Sequence, residues 1–250
     1  MNDFNLSNNN ILPKEIIKID KTFKYNDYEL NNLEYNKAIE LDKRSYLEYY
    51  FSLLKRKQLI LFTFYTNDDY NSKMIKMSLL FFSFALYYTV NALFFNDSTM
   101  HKIYEGQGDF NIIYQLPNIF YSTIISTFFS TLIKFFSLTE NNILPIKNAK
   151  KNLIEMKLKI LKRLTIKFII FFLLDFIFLL FFWYYLSSFC SVYKNTHIYL
   201  IKDTLISFTL SLLYPFGINL LPGIFRIPSI NSKRKDRKCM YNFSKIIQIF

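Results

Sequence analysis

The sequence predicts an all-α fold: a polytopic helical membrane protein with four transmembrane helices and an interfacial helix on the cytosolic side. Three observations carry this. First, four long stretches are nearly free of charge: Met77 to Phe95, Ile112 to Leu138, Phe168 to Tyr193 and Thr204 to Phe225. A helix needs about 20 predominantly apolar residues to cross a hydrocarbon core of about 30 Å, and each run reaches roughly that length. Second, the runs stand out against the composition. The chain is 52% hydrophobic and 20% aromatic, but the coding bias that adds Phe and Ile also adds Lys and Asn. Third, the basic residues alternate from one connecting segment to the next.

That alternation sets the threading. Lys55, Arg56, Lys57, Lys73 and Lys76 surround the approach to the first run. Lys147, Lys150, Lys151, Lys157, Lys159, Lys162 and Arg163 lie between the second and third. Arg226, Lys233, Arg234, Lys235, Arg237, Lys238 and Lys245 follow the fourth. The other two connections carry only Lys102 in one, and Lys194 and Lys202 in the other. Lys and Arg collect on the cytosolic side of short loops, so both termini are expected in the cytosol. The formal charge of +12 is thereby read as topological, and no nucleic-acid partner is expected. The membrane, plasma membrane or endomembrane, stays open.

In chain order, residues 1–30 are Asn-rich without a helical period and read as a disordered cytosolic N-terminus. "MNDFNLSNNN" has neither a basic nor an apolar signal region, so the first span is expected to direct insertion. Over 31–73 the sequence predicts one amphipathic interfacial helix, Asn31 to Lys57, followed by a turn. Leu33, Ala38, Leu41, Tyr46, Tyr49 and Leu53 recur at helical spacing, and Glu40 stands four residues before Arg44 for an ion pair. Its tyrosines and terminal basic residues suit the headgroup layer. "LILFTFY" is too short to cross, and "TNDDYNS" supplies turn and N-cap residues. The membrane domain is expected over 74–228, with spans at about 75–95, 114–138, 165–189 and 204–226. Residues 229–250 form a polybasic cytosolic tail, and "YNFSKIIQIF" folds back on the membrane surface. Cys190 falls near the outer boundary and Cys239 in the tail, so the bilayer keeps them apart and no disulfide is expected.

Polar residues inside the spans are the candidates for function. Asp175 interrupts the third run. A carboxylate at helix centre costs about 2.5–3.5 kcal/mol, which the apolar neighbours offset. Intramembrane acids face the bundle, as structural hydrogen-bond partners or on ion paths, and the expected partner of Asp175 is span two. There, Ser122, Ser126 and Ser130 repeat every four residues, as do Thr123, Thr127 and Thr131. Such ridges serve close helix packing, or line a pore. Pro215 withdraws a partner from the Ser211 carbonyl and bends span four, as a packing kink or a substrate-site break. Lys134 snorkels at the inner end of span two. The tail residues Lys233, Arg234, Lys235, Arg237 and Lys238 suit contact with anionic lipid, with Cys239 beside them as an acylation candidate.

Between the first two runs lies "VNALFFNDSTMHKIYEGQGDFNIIYQLP". His101 and Glu105 share a face only if this stretch is helical, and Gly106 and Gly108 end a helix early. With Asp97, Asp109 and His197 of the other outer loop, they are weak metal or proton-sensing candidates beside the plainer reading of a solvated hairpin. No metal or cofactor is expected. The chain lacks a G-x-S-x-G elbow, a phosphate-cradling glycine loop, H-E-x-x-H and paired C-x-x-C motifs, so it does not read as an enzyme.

Four stretches, "LNNLEYNKAIELDKRSYLEYYFSLLK", "FTFYTNDDYNSKMIK", "TVNALFFNDSTMHKIYEGQGDFNIIYQLP" and "FSLTENNILPIK", resemble the C-terminal multi-pass segment of ciliate-type protist transmembrane proteins. The resemblance covers about half the chain. It implies a segment that closes a longer protein with a large extracytosolic region, making this chain a fragment or a short member, and it brings no activity. The expected function is a membrane anchor or assembly module, alone or in an oligomer built by helix packing. The alternative is a channel or transporter subunit using Asp175, the hydroxyl ridge of span two and the break at Pro215.

Overall fold

The computed structural model describes residues 25–65, 69–106, 111–139, 143, 153–194, 196–231 and 237–248. Among them the chain is helical and without strands. The helices are α1 (Asp27–Asn32), α2 (Tyr35–Leu41), α3 (Tyr46–Lys57), α4 (Lys73–Phe94), α5 (Asp97–Glu105), α6 (Ile112–Ser137), α7 (Leu153–Val192), α8 (His197–Ile218), α9 (Leu220–Asn231) and α10 (Lys238–Ile247). A π-helical turn, Leu61–Tyr65, links α3 to the approach of α4. Four helical segments are long and apolar enough to cross a membrane: α4, α6, α7, and α8 with α9. The protein is an integral membrane protein.

The helix α4 is the hub. It packs against α6, α7 and α8, and 50% of its apolar window is buried within the protein, against 11% for α7. Phe82, Leu79, Leu86 and Val90 of α4 meet Ile133 of α6 and Phe171 of α7 in one apolar core. The helix starts where the turn residues predict, since the Ser72 side chain accepts from the Met74 N–H. Just before it, Asn71 Oδ1 accepts from the Thr139 N–H at 3.0 Å, fastening the start of α4 to the end of α6. At the opposite end, Asn96 caps α5 by accepting from the Thr99 N–H. Met100 and Ile103 of α5 pack with Phe95, Phe189 and Leu200, so this loop is a packed helix rather than a solvated hairpin.

Several boundaries differ from the sequence reading. The chain is ordered before residue 31: α1 begins at Asp27, capped by Asn26 in a capping box with Glu29. The single interfacial helix is three. Leu33 and Glu34 are extended, α2 stops at Leu41, and Ser45 opens α3 with a second capping box. The break frees Asp42 and Arg44 from helical geometry, so no Glu40–Arg44 ion pair forms. Arg44 instead bonds Asp42 at 2.8 Å and Asn31 at 2.8 Å. The helix α6 begins at Ile112 with Pro117 inside it. The connector after span two is helical from Leu153, so α7 runs 40 residues, about 60 Å at 1.5 Å per residue. Its first third bears Lys157, Lys159, Lys162 and Arg163. Span four starts at His197, which places Lys202 and Asp203 inside a helix.

The helices α1, α2, α3 and α10 form a cap with α9 on one end of the bundle, built round Arg226. This side chain is 0% exposed. It donates to Asp42 Oδ2 at 2.9 Å and to the carbonyls of Leu30 and Asn31 at 2.7 and 3.2 Å. Its guanidinium lies 4.9 Å from the Tyr49 ring centre and 4.8 Å from that of Tyr241. Asp42 joins the two arginines, Arg44 and Arg226. Burial by itself raises the Asp42 carboxyl, but bonds and charge from Arg44 and then Arg226 outweigh it and hold its pKa below the ordinary value. Burial pushes the Tyr49 hydroxyl up to about 12. Tyr241 donates to the Leu33 carbonyl at 2.7 Å, so α10 folds onto α2 and α9 rather than onto the membrane alone. Gly223 lets α3 approach, for a Cβ there would lie 2.6 Å from Tyr46.

Asp42→Ala leaves two guanidiniums short of their shared counter-ion and is expected to destabilise the fold by about 3–5 kcal/mol, the scale for a broken buried pair. Glu40→Ala, on the exposed side of α2, should stay within about 0.5 kcal/mol. Thermal unfolding in detergent distinguishes them. With a depressed native pKa, the Asp42 contribution is complete above its ordinary value of 3.8 and is lost as pH falls through the native value; acid melting that D42A leaves unchanged would refute the clamp.

Candidate functional site

Between α4, α6 and α8, at the cap end, the structure holds a cavity of about 590 Å³. Its walls explain much of the polar patterning. From α6 come Thr127, Ser130, Thr131 and Lys134, which share a face because three- and four-residue steps return to one side of a helix. From α4 come Ser83 and Tyr87, and from α8 Ser211, Pro215 and Asn219. The cap closes over them with Arg56 and Lys57 from the end of α3 and Lys245 and Gln248 from α10. Phe135, Leu138, Phe208 and Leu212 make the apolar remainder.

A polar seam continues the cavity toward the other end of the bundle. Ser83 and Ser130 hydroxyls are 3.4 Å apart, and Tyr87 and Thr127 hydroxyls 2.9 Å. Further along, Asn91 Nδ2 donates to Ser207 Oγ at 2.7 Å. Ser122 and Ser126 are fully buried beside them, and the Ser126 hydroxyl has no partner among the described residues. Asp203, one turn before Ser207, is 0% exposed, and neither carboxylate oxygen has a partner among the described residues. Sequence reasoning passed over Asp203 because the fourth run was begun at Thr204, the residue after it.

The break in span four has a definite geometry. Pro215 stays inside α8, and the helix ends four residues on at Asn219, whose N–H and Nδ2 both donate to the Pro215 carbonyl at 3.2 and 2.7 Å. Two tyrosines of α3 supply donors beside the break: Tyr50 to the Phe216 carbonyl and Tyr46 to the Leu220 carbonyl, each at 2.9 Å. These bonds fasten the break in span four to α3 of the cap.

Asp175 lies elsewhere. Its carboxylate accepts from Ser78 Oγ at 2.6 Å, on span one rather than on the hydroxyl ridge of span two. It faces the bundle as expected, 7% exposed, but is absent from the cavity walls. The reason is rotation: α7 packs on both α4 and α6, and the side of it that carries Asp175 is the one turned to Ser78 of α4. His101 and Glu105 do share a face of α5, 3.2 Å apart and exposed. No group of three potential metal ligands forms with them or with His197 among the described residues. Asp109 and the tail residues Lys233, Arg234 and Lys235 lie outside the described residues. Arg237 donates to the Pro228 carbonyl and Lys238 opens α10. Cys190 and Cys239 are free thiols.

Electrostatics single out Lys57. Its Nζ is buried without a hydrogen-bond partner among the described residues. Burial first, then Arg56 and Lys134 as like charges, push its pKa down to about 8. Lys57 of α3 and Lys134 of α6 line the same cavity. No protein-family model matches the chain, and no curated protein or solved structure does either.

A lysine held at about 8 against an ordinary 10.5 opposes folding while charged, because the unfolded chain binds that proton more tightly. Stability therefore rises with pH between about 8 and 10.5. Lys57→Met should stabilise the protein at neutral pH by up to about 3 kcal/mol, with the gain shrinking to nothing as pH passes 10.5. Unfolding curves across that range check it; a destabilised K57M at neutral pH would refute the strained ammonium.

Proposed function

We propose that the protein is a channel or transporter subunit that takes a small solute or amphiphile into the cavity between α4, α6 and α8. The observation that supports this reading is the convergence of the α6 hydroxyl ridge and the Pro215–Asn219 break on that cavity, with the seam through Asn91, Ser207 and Asp203 beyond it. A seam meant only for packing needs small residues and satisfied hydroxyls. Here there is also room, and several buried polar atoms have no partner. The acidic group of interest in this reading is Asp203, at the far end of the seam, in place of Asp175, which bonds Ser78.

The cap faces the cytosol in this reading, by the excess of Lys and Arg on it, and the tail residues Arg237 and Lys238 with 233–235 meet anionic lipid there. A second reading, a membrane anchor or assembly module, draws support from α7. Its window is 11% buried, and Ile154, Leu158 and Leu161 are exposed on its basic first third, a surface on which a partner could seat.

Single cysteines in a chain lacking Cys190 and Cys239, probed with a membrane-impermeant maleimide in proteoliposomes, test the two. S130C should react from the face on which a thiol at position 239 reacts, and a thiol at Asp203 from the opposite face. Reaction at Ser130 with none at Asp203 or Asn91 from either side would replace passage by binding and favour the anchor. No reaction at S130C from either face removes the cavity as an aqueous site. A thiol at 159 reacting from the face opposite residue 239 would overturn the threading.

A further inference from the structure

We propose that the cavity binds an oxyanion, a phosphate-type group, held between Lys57 of α3 and Lys134 of α6. The proposal rests on the cavity reading and names the ligand class. Among the described residues, four cationic side chains line the space, Arg56, Lys57, Lys134 and Lys245, and no Asp or Glu does. Two of the four have roles within the cap: Arg56 lies 4.3 Å from the Tyr28 ring centre, and Lys245 donates to the Asn32 carbonyl at 3.4 Å. Lys57 Nζ has no hydrogen-bond partner among the described residues. A buried ammonium without a counter-ion, facing a second ammonium, is a costly arrangement that apolar side chains would avoid. An oxyanion between them removes both penalties at once, accepting charge-assisted hydrogen bonds from each.

The surrounding groups fit the same ligand. Ser130 and Thr131, one turn from Lys134, and Ser83 of α4 offer hydroxyl donors to further oxygens. The wall also opens sideways, since Thr127, Thr131, Phe135 and Tyr214 are exposed between α6 and α8. That opening admits an acyl chain while the headgroup stays at the lysines. Inorganic phosphate and a lipid phosphate share the chemistry, and the experiment separates them.

The full chain is purified in neutral detergent and its thermal unfolding followed with and without inorganic phosphate. In parallel it is placed in nanodiscs of phosphatidylcholine alone or with added phosphatidylglycerol. A ligand that binds the native state raises Tm. The expected result is a salt-sensitive rise with one or both probes, reduced at least about tenfold in apparent affinity by K57Q and by K134Q. K202Q, on α8 toward the other end, should leave it unchanged. Phosphate activity in detergent assigns a soluble anion; an effect confined to phosphatidylglycerol assigns the lipid. Affinity should fall as pH rises past about 8, where the unoccupied Lys57 loses its proton. The groups facing it there are Arg56, Lys134, Lys245, Tyr87 and Tyr214. K57Q flattens that profile, and because it relieves strain it folds. No rise with either probe, or a rise equal in wild type and K57Q, overturns the ligand class. If S130C reacts with maleimide while this result is negative, the cavity stands and only its ligand is wrong.

Discussion

The buried ion cluster of Asp42, Arg44 and Arg226 is the interaction on which the rest of the structure depends. A guanidinium removed from water is tolerable only when charge, hydrogen bonds and ring faces replace its hydration. Arg226 meets that condition through Asp42, two backbone carbonyls and two tyrosine rings. Every one of those partners lies outside its own helix. They come from the segment before span one and from α10, so satisfying one side chain draws both onto the end of span four. The cap then fixes the pose of α3, and with it Arg56 and Lys57 at the cavity mouth.

The cavity carries the opposite signature. Where Arg226 is fully compensated, Lys57 is not, and the two lie on neighbouring parts of one cap. A chain able to bury an arginine so completely has no physical need to leave a lysine strained beside it. Local violations of good packing and pairing concentrate at sites of function. The unpartnered hydroxyl of Ser126 and the carboxylate of Asp203 extend that pattern along the seam between α4, α6 and α8. Among the described residues, unpartnered polar atoms also occur outside the seam, at Asn31 Nδ2 in the cap and Asp175 Oδ1 between α7 and α4, so the seam is where they are concentrated rather than their sole location.

Lipid exposure explains the remaining geometry. With 11% of its apolar window buried, α7 would be a poor helix in water, but lipid tails are as apolar as its Phe and Ile side chains, so no force drives it inward. Its attachment is a narrow apolar seam, where Phe171 and Phe189 enter the two cores, reinforced by polar bonds such as Asp175 to Ser78 and Lys167 Nζ to the Leu138 carbonyl. Both bonds form where water is scarce, and both fix the rotation of a helix whose apolar surface is otherwise uniform.

Run length and charge spacing by themselves determined the four spans, the Ser72 cap and the end of α5 at Gly106, because each is a property of contiguous residues and the backbone's local needs. Hydroxyl periodicity likewise marked one face of α6 as unlike the others. What faces that ridge depends on how neighbouring helices are rotated and ordered, which no local pattern encodes. Lys57, Lys134 and Arg226 read equally well as topological charges until the tertiary structure gives each a different burial. Asp175 met Ser78 because α7, which packs on both α4 and α6, turns that side to α4, and Asp203 entered the interior because α8 starts earlier than its apolar run. The sequence determined how many times the chain crosses and where its charges fall; only packing decided which charges are compensated and which are left facing a cavity.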